Sequence, residues 1–261
     1  MDLGIDKRVA LVTGAGRGIG RAICKSLSLE GVTIIACSKS EETLLETMAE
    51  LPKSENHKYY VVDFTKKNSV AKLINFLQIE RVDPDIVVNN VGGNLGFTDP
   101  LGPISEWQKV MRLNVEVAIE LNQEIIPSMI KKKWGRICHI SSISALENQG
   151  PPAYCAAKAA LNAYVRSVGR YVSKDNVIMT TVMPGAILSN GGYWDIATKE
   201  RPDHVAKYLN ERMAIKRFGN EEEISKAVTF LCSEHASFCV GSNLLIDGGQ
   251  GRVFFNQGEV L

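Results

Sequence analysis

A run of apolar residues at 9–12 passes directly into Thr13-Gly14-Ala15-Gly16-Arg17-Gly18-Ile19-Gly20, where an amphipathic run begins that continues to position 29. This reads as a buried strand turning through glycines into the start of a helix. In such a turn the backbone N–H groups and the positive end of the helix dipole converge, a setting that holds a pyrophosphate. The spacing is G-x-x-x-G-x-G, on Gly14, Gly18 and Gly20. The fingerprint G-x-G-x-x-G does not fit, because from Gly14 it ends on Ile19 and from Gly16 on Arg21. A glycine turn of this kind also serves as a plain tight connection, so the rest of the chain must decide.

The rest alternates. Apolar, strand-like runs stand at 32–37, 59–62, 85–89, 136–141, 177–182 and 243–246. Helical periodicity covers 41–51 (ended by Pro52), 70–77, 107–132, 153–172 and 221–231. Strands alternating with helices at about 25 to 30 residues per unit predict a doubly wound α/β fold. The sheet is expected to be parallel, with about seven strands and helices on both faces. No linker or low-complexity stretch divides the 261 residues, so one domain over 1–261 is expected. The pattern weakens over 189–217, read as an insertion beside the substrate, and 250–261 is read as a tail. In such sheets ligands bind beyond the carboxyl ends of the strands.

Composition narrows the function. Thirty basic and 29 acidic residues leave a formal charge of +1, so no global field favours nucleic acid or an anionic membrane. The one compact basic run, Lys131-Lys132-Lys133, reads as a solvated helix end. With no apolar signal core at the start and no spanning stretch, the chain is expected to be soluble and cytoplasmic. Six cysteines without a C-x-x-C pair read as reduced thiols, and four scattered histidines lack metal-ligand spacing.

The sharpest chemical signal is Tyr154-Cys155-Ala156-Ala157-Lys158 at the start of a long helix. Residues four apart share a helix face, which puts the Lys158 ammonium beside the Tyr154 phenol. A phenol titrates near 10, and a neighbouring cation lowers a pKa by roughly 1 to 3 units, towards the range of acid–base catalysis. Such a pair alone is usually structural. Here Ser141-Ser142 end the preceding strand and Asn114 lies in the helix before it.

Together with Asp63, Asn89-Asn90-Val91-Gly92, Pro184-Gly185 and Asp247-Gly248-Gly249, these motifs resemble the short-chain dehydrogenase/reductase family over nearly the whole chain. The resemblance implies an oxidoreductase with a tetrad of Asn114, Ser142, Tyr154 and Lys158. Tyr154 would exchange a proton with the reacting oxygen and Ser142 would hydrogen-bond it. Lys158 would lower the phenol's pKa and hold the nicotinamide ribose, and Asn114 would hold a water behind the lysine. Val91 replaces the family's usual alanine, and Ala145 its usual glycine. The glycine turn, with Gly14, Gly18, Ile19 and Gly20, would hold the pyrophosphate. Asp63 would face the adenine, Asn90 the ribose and Ile187 the carboxamide. An NAD enzyme of this fold usually carries an acid after the second strand, but Cys37-Ser38-Lys39-Ser40 has none. Arg17 and Lys39, with Ser38 and Ser40 donating, are therefore expected to converge on the 2′-phosphate of NADP(H).

The expected partner is a small carbonyl or alcohol substrate, with a dimer or tetramer of the chain implied by the resemblance and by the apolar tail at 253–255 and 260–261. Asn94, Glu147, Asn148, Gln149 and Asn190, with Tyr193 and Trp194 as stacking faces, predict a polar, sugar- or polyol-like substrate. The alternative is a 3-oxoacyl-carrier-protein reductase, with Lys133 and Lys174 docking an acidic carrier. A non-catalytic dinucleotide-binding regulator would not need the Tyr154/Lys158 pair.

Overall fold

The central strands are mostly apolar and buried on both sides because helices cover both faces of the sheet. In the computed structural model, which describes residues 1–52, 55–147 and 149–252, seven parallel strands form one sheet. They are β1 (Val9–Thr13), β2 (Thr33–Ser38), β3 (Lys58–Val61), β4 (Ile86–Asn89), β5 (Gly135–Ile140), β6 (Val177–Pro184) and β7 (Asn243–Ile246), in the order β3-β2-β1-β4-β5-β6-β7. Alternation along β1 shows the logic. Ala10 and Val12 enter a core with Ile23, Leu27, Leu44, Ile224 and Val228, while Leu11 enters the opposite core with Leu73, Leu121 and Val165. The first core lies under α1 (Gly18–Leu29), α2 (Glu41–Glu50) and α9 (Glu221–Leu231). The second lies under α3 (Ser69–Ile79), α5 (Val117–Lys132) and α6 (Pro152–Val172).

Two elements depart from expectation. The long helix expected over 107–132 starts earlier, as α4 (Ile104–Met111), and reaches α5 through a π-helical turn, Arg112–Glu116. Asn114 lies in that turn and its Nδ2 donates to Val110 O at 2.8 Å, so a polar residue is built into the break. The segment expected to be poorly patterned holds two helices, α7 (Tyr193–Glu200) and α8 (Pro202–Arg212). Pro202 opens α8, where a missing N–H costs nothing. Among the described residues no helix is long and apolar enough to cross a membrane. All six cysteines are free. The apolar tail that carries the expectation of self-association lies outside the described residues.

Strand order reverses between β1 and β4, each paired in parallel on both of its sides. The ends of these two strands are therefore where a ligand crevice opens. One polar knot is sealed in the sheet beside it. His139 on β5 is fully buried; its Nε2 lies 3.2 Å from Asn89 Nδ2 and 3.0 Å from Asn122 Nδ2, and its Nδ1 lies 3.3 Å from Thr180 O. Because Thr180 O only accepts, Nδ1 carries the proton and Nε2 accepts. Burial pushes His139 down to about 4 from 6.5, so the ring is neutral in the folded chain. A base depressed by folding contributes stability that is full above pH 6.5 and lost as pH falls towards 4. The free energy of unfolding, from urea titrations, should fall across that window by about 3 kcal/mol more in the natural chain than in His139→Gln. Parallel pH profiles for the two proteins would remove His139 as the cause.

Candidate functional site

The glycine turn is held from behind. Asn90 Nδ2 donates to Thr13 O and Gly14 O at 3.0 and 3.1 Å, Thr47 Oγ1 donates to Ala15 O at 2.9 Å, and Arg21 Nη2 donates to Gly16 O at 2.6 Å. A Cβ on Gly20 would sit 2.2 Å from Gly14 O, which excludes any side chain there. The turn's carbonyls are thus tied into the protein. At the start of α1 no side chain caps the first turn and no acid lies in it. The first-turn N–H groups of α1, including those of Ile19 and Gly20, are left to an outside acceptor, so an anionic diphosphate fits. Arg21 and Thr47 were not foreseen; their partners lie 5 and 32 residues away, and no local pattern marks them.

At the end of β2 the chain presents Ser38, Lys39 and Ser40 with no carboxylate among them. Lys39 is exposed and close enough to Asp63 to help lower its carboxyl, whose main cause is the hydrogen bond from the Thr65 hydroxyl. Arg17 is exposed, and among the described residues its guanidinium makes no hydrogen bond or ion pair. Its Nη1 lies 3.8 Å from where a Cβ on Gly191 would stand, so the guanidinium leans towards the start of the insertion. Ser38 Oγ stands 2.8 Å from the corresponding point on Gly16. The Ser40 hydroxyl caps α2 by accepting from Thr43 N.

Across the crevice, Lys158 is 3% exposed; its Nζ donates to Ile140 O at 2.8 Å and stands 5.5 Å from the centre of the Tyr154 ring. The sequence reading has the lysine lowering the phenol. In the ligand-free structure the phenol is not lowered: desolvation pushes Tyr154 up to about 12, with the hydrogen bond with Ser142 opposing, and Lys158 down to about 7. The phenol is protonated at neutral pH and the amine is poised near its midpoint. Ser142 leaves β5 extended and its Oγ accepts from Ser144 N at 3.1 Å. Asn114 grips the loop after β4: Oδ1 accepts from Gly93 N at 3.0 Å and Nδ2 donates to Gly93 O at 2.8 Å. Gly92 passes between the two, since a Cβ there would fall 2.6 Å from Asn114 Oδ1 and 2.9 Å from Lys158 Nζ. Val91 packs on the α5 side of the core, and Ala145 ends a short 3-10 turn.

On the substrate side, Ile187 pairs with Gly219, and Leu188 N donates to Gly219 O at 2.9 Å, which ties the strand after β6 to the base of the insertion. There Trp194 packs 4.2 Å from Tyr208 and 4.8 Å from Phe218, centre to centre. Gln149 donates to Glu147, and Gly150 runs along the Tyr154 ring, where a Cβ would lie 3.6 Å from Cδ1. Gln250, assigned to the tail by its sequence position, is instead buried among Gln149, Tyr208 and Ala186. Not every expected group joins them. Asn94 closes a local turn by accepting from Gly96 N, and Asn148 lies outside the described residues. Asn190 lines a separate cleft of about 580 Å³ with Arg17, Arg21 and Glu221, of which Tyr154 forms no wall. Tyr193 is largely exposed. Tyr208, Phe218 and Gln250 escaped sequence reading because they lie far apart in the chain among polar residues.

The chain is similar to known proteins in sequence and fold. Residues 8–193 match the family model described as short chain dehydrogenase. A 3-oxoacyl-[acyl-carrier-protein] reductase, FabG of Haemophilus influenzae, is 32% identical over 93% of this chain and 97% of its own. The solved L-sorbose reductase of Gluconobacter frateurii, complexed with NADPH and L-sorbose, is 30% identical with a TM-score of 0.88, covering 96% of this chain and 98% of that one. A 3-oxoacyl (acyl-carrier-protein) reductase of Agrobacterium tumefaciens with NADP bound is 27% identical, with a TM-score of 0.87 and 95% of each chain covered. By these matches, together with its strand order, its glycine turn and its Ser142, Tyr154 and Lys158 cluster, the chain is a member of the short-chain dehydrogenase family.

Proposed function

We propose that the chain transfers hydride between NADP(H) and the carbonyl or secondary alcohol of a small, hydroxylated compound. The observation that carries the substrate class is the polar group on and around the loop before Tyr154, made of Glu147, Gln149 and Tyr208 and joined through Gln250. The two amides are already paired within this group, but the Tyr208 hydroxyl and the carboxylate oxygens have hydrogen-bonding capacity that substrate hydroxyls can use and an acyl chain cannot. The dinucleotide, when bound, supplies or accepts the hydride. In this reading the first turn of α1, with Gly14, Gly18, Ile19 and Gly20, holds the diphosphate, and Arg17, Ser38 and Lys39 hold the 2′-phosphate. Asp63, Asn90 and Ile187 meet the adenine, ribose and carboxamide. Tyr154 gives its proton to the carbonyl oxygen, which Ser142 orients, and the resulting phenolate is stabilised by a charged Lys158. Asn114 holds the loop that separates Lys158 from solvent.

A 3-oxoacyl-carrier-protein reductase is the second reading, favoured by the curated relatives. Against it, Lys133, one of the two lysines expected to dock a carrier, is paired with Asp175.

Four outcomes test these assignments. Tyr154→Phe keeps the ring and should lower kcat by about 10²- to 10⁴-fold, the usual contribution of a general acid, with cofactor affinity unchanged in a direct titration. Lys158 carries a second signature: folding depresses it from 10.5 to about 7, so the ligand-free chain gains stability as pH rises from 7 to 10.5. That rise should be absent in Lys158→Met; a variant that keeps it would show that another group titrates.

NADPH should bind at least about tenfold tighter than NADH, equivalent to about 1.4 kcal/mol. Lys39→Asp should narrow or invert the ratio, and equal affinities in the natural chain would discard the 2′-phosphate assignment.

Polyhydroxylated ketones should be turned over with a higher kcat/KM than unsubstituted ketones of the same length. If they are inert while acyl thioesters improve steadily with chain length, the carrier-protein reading replaces this one.

A further inference from the structure

Gln250 is 3% exposed, and its amide is fully used. Nε2 donates to Gln149 Oε1 at 2.6 Å and to Tyr208 Oη at 2.7 Å, while Oε1 accepts from Ala186 N at 2.7 Å. An amide has two N–H donors, and both are spent on side chains. The three partners lie on three segments that otherwise belong to different parts of the fold. Gln149 is on the loop leading from β5 into α6, next to Tyr154. Tyr208 is on α8, in the insertion. Ala186 stands one residue before Ile187, after β6. A Cβ on Gly185 would lie 2.6 Å from Gln250 Oε1, so the backbone after β6 is stripped to let the side chain in.

We infer that Gln250 is a positioning residue for substrate specificity: it latches the α7–α8 insertion to the loop beside Tyr154 and so sets where the polar groups stand relative to the reacting carbonyl. Gln149 is held from both ends, with Oε1 taken by Gln250 and Nε2 given to Glu147. Because Tyr208 Oη accepts from Gln250, its own proton is directed elsewhere, and through Tyr208 the bond also reaches the aromatic stack with Trp194 and Phe218. Glu147 joins the same tie by accepting from Arg252 N, two residues beyond Gln250. A substrate that uses only Ser142 and Tyr154 does not need this latch. One whose hydroxyls meet Glu147, Gln149 or Tyr208 does. The inference rests on the proposed reading of the site as the pocket of a hydroxylated ketone.

The test compares Gln250→Leu, which removes all three bonds, with Tyr208→Phe, a milder change that removes one acceptor. In Gln250→Leu, KM for a polyhydroxylated ketone should rise about tenfold or more, as expected for several lost hydrogen bonds, with kcat within about threefold. The kinetics of a small unsubstituted ketone should stay near those of the natural chain. The two variants should be non-additive in combination, since both cut one latch. In the ligand-free protein, amide exchange across 202–212 should accelerate in both variants while the strands stay protected. Equal losses on both ketones, or an unchanged KM for the hydroxylated one, would overturn the specificity role. If the natural chain turns over no hydroxylated ketone at all, the functional reading fails by itself. The exchange measurement then still decides the latch, and unaltered exchange at 202–212 in Gln250→Leu, or in Tyr208→Phe should the former not fold, overturns it.

Discussion

The tie between the ends of β1 and β4 is the contact on which both halves of the site depend. Thr13 Oγ1 donates to Val88 O and accepts from Asn90 N and Val91 N, and Asn90 Nδ2 returns to Thr13 O and Gly14 O. One hydroxyl and one amide therefore orient two loops at once. On one side the glycine turn is set so that the first N–H groups of α1 face outwards. On the other, the loop after β4 is delivered to Asn114 and threads Gly92 past Lys158. The β1–β4 junction is where strand order reverses, and only there can two adjacent loops part and leave a crevice between them.

Desolvation governs the chemistry at the far end of that chain of contacts. Tyr154 and Lys158 are both driven towards their neutral forms, to about 12 and about 7. A buried amine near its midpoint weakens the fold at neutral pH, so the pair is a burden on stability kept for another reason. In the proposed mechanism the burial has a use. A phenolate formed by proton transfer sits beside the one cation within reach, in surroundings where their attraction is poorly screened. The neutral resting pair and the charged transient pair are then two states of one buried site. His139 behaves differently: its ring is kept neutral by burial, is oriented by Asn89, Asn122 and Thr180, and has no place in that exchange.

Much of this was legible in the sequence, for a physical reason. Strands buried on both faces are mostly apolar, so the central strands appeared as short apolar runs, and the glycine turn declared itself because a Cβ at Gly20 has nowhere to go. Tyr154 and Lys158 share a helix, and their spacing is a local property. What was misread involves polar residues inside regular structure. Asn114 breaks an otherwise periodic helix into α4, a π turn and α5. The insertion hid α7 and α8 because its aromatic stack is built across two helices rather than along one. The expected convergence of Arg17 and Lys39 depends on long exposed side chains, and the structure has one leaning to Gly191 and the other close to Asp63.

The two halves of the crevice thus differ in how their specificity is encoded. The dinucleotide side is made of backbone groups and glycines within a single strand–turn–helix unit, so a short motif describes it and any chain with that unit inherits it. The substrate side is made of side chains from the loop after β5, from α8 and from the residues beyond β7, joined through the amide of Gln250. Each of those segments can change length or composition without disturbing the sheet, since none supplies a strand. Proteins that share the fold and the Tyr/Lys chemistry can therefore serve ketones as different as a sugar and an acyl thioester. What separates them has to be sought in contacts between segments remote in sequence, and the three bonds of the buried Gln250 are the contact of that kind proposed for this chain.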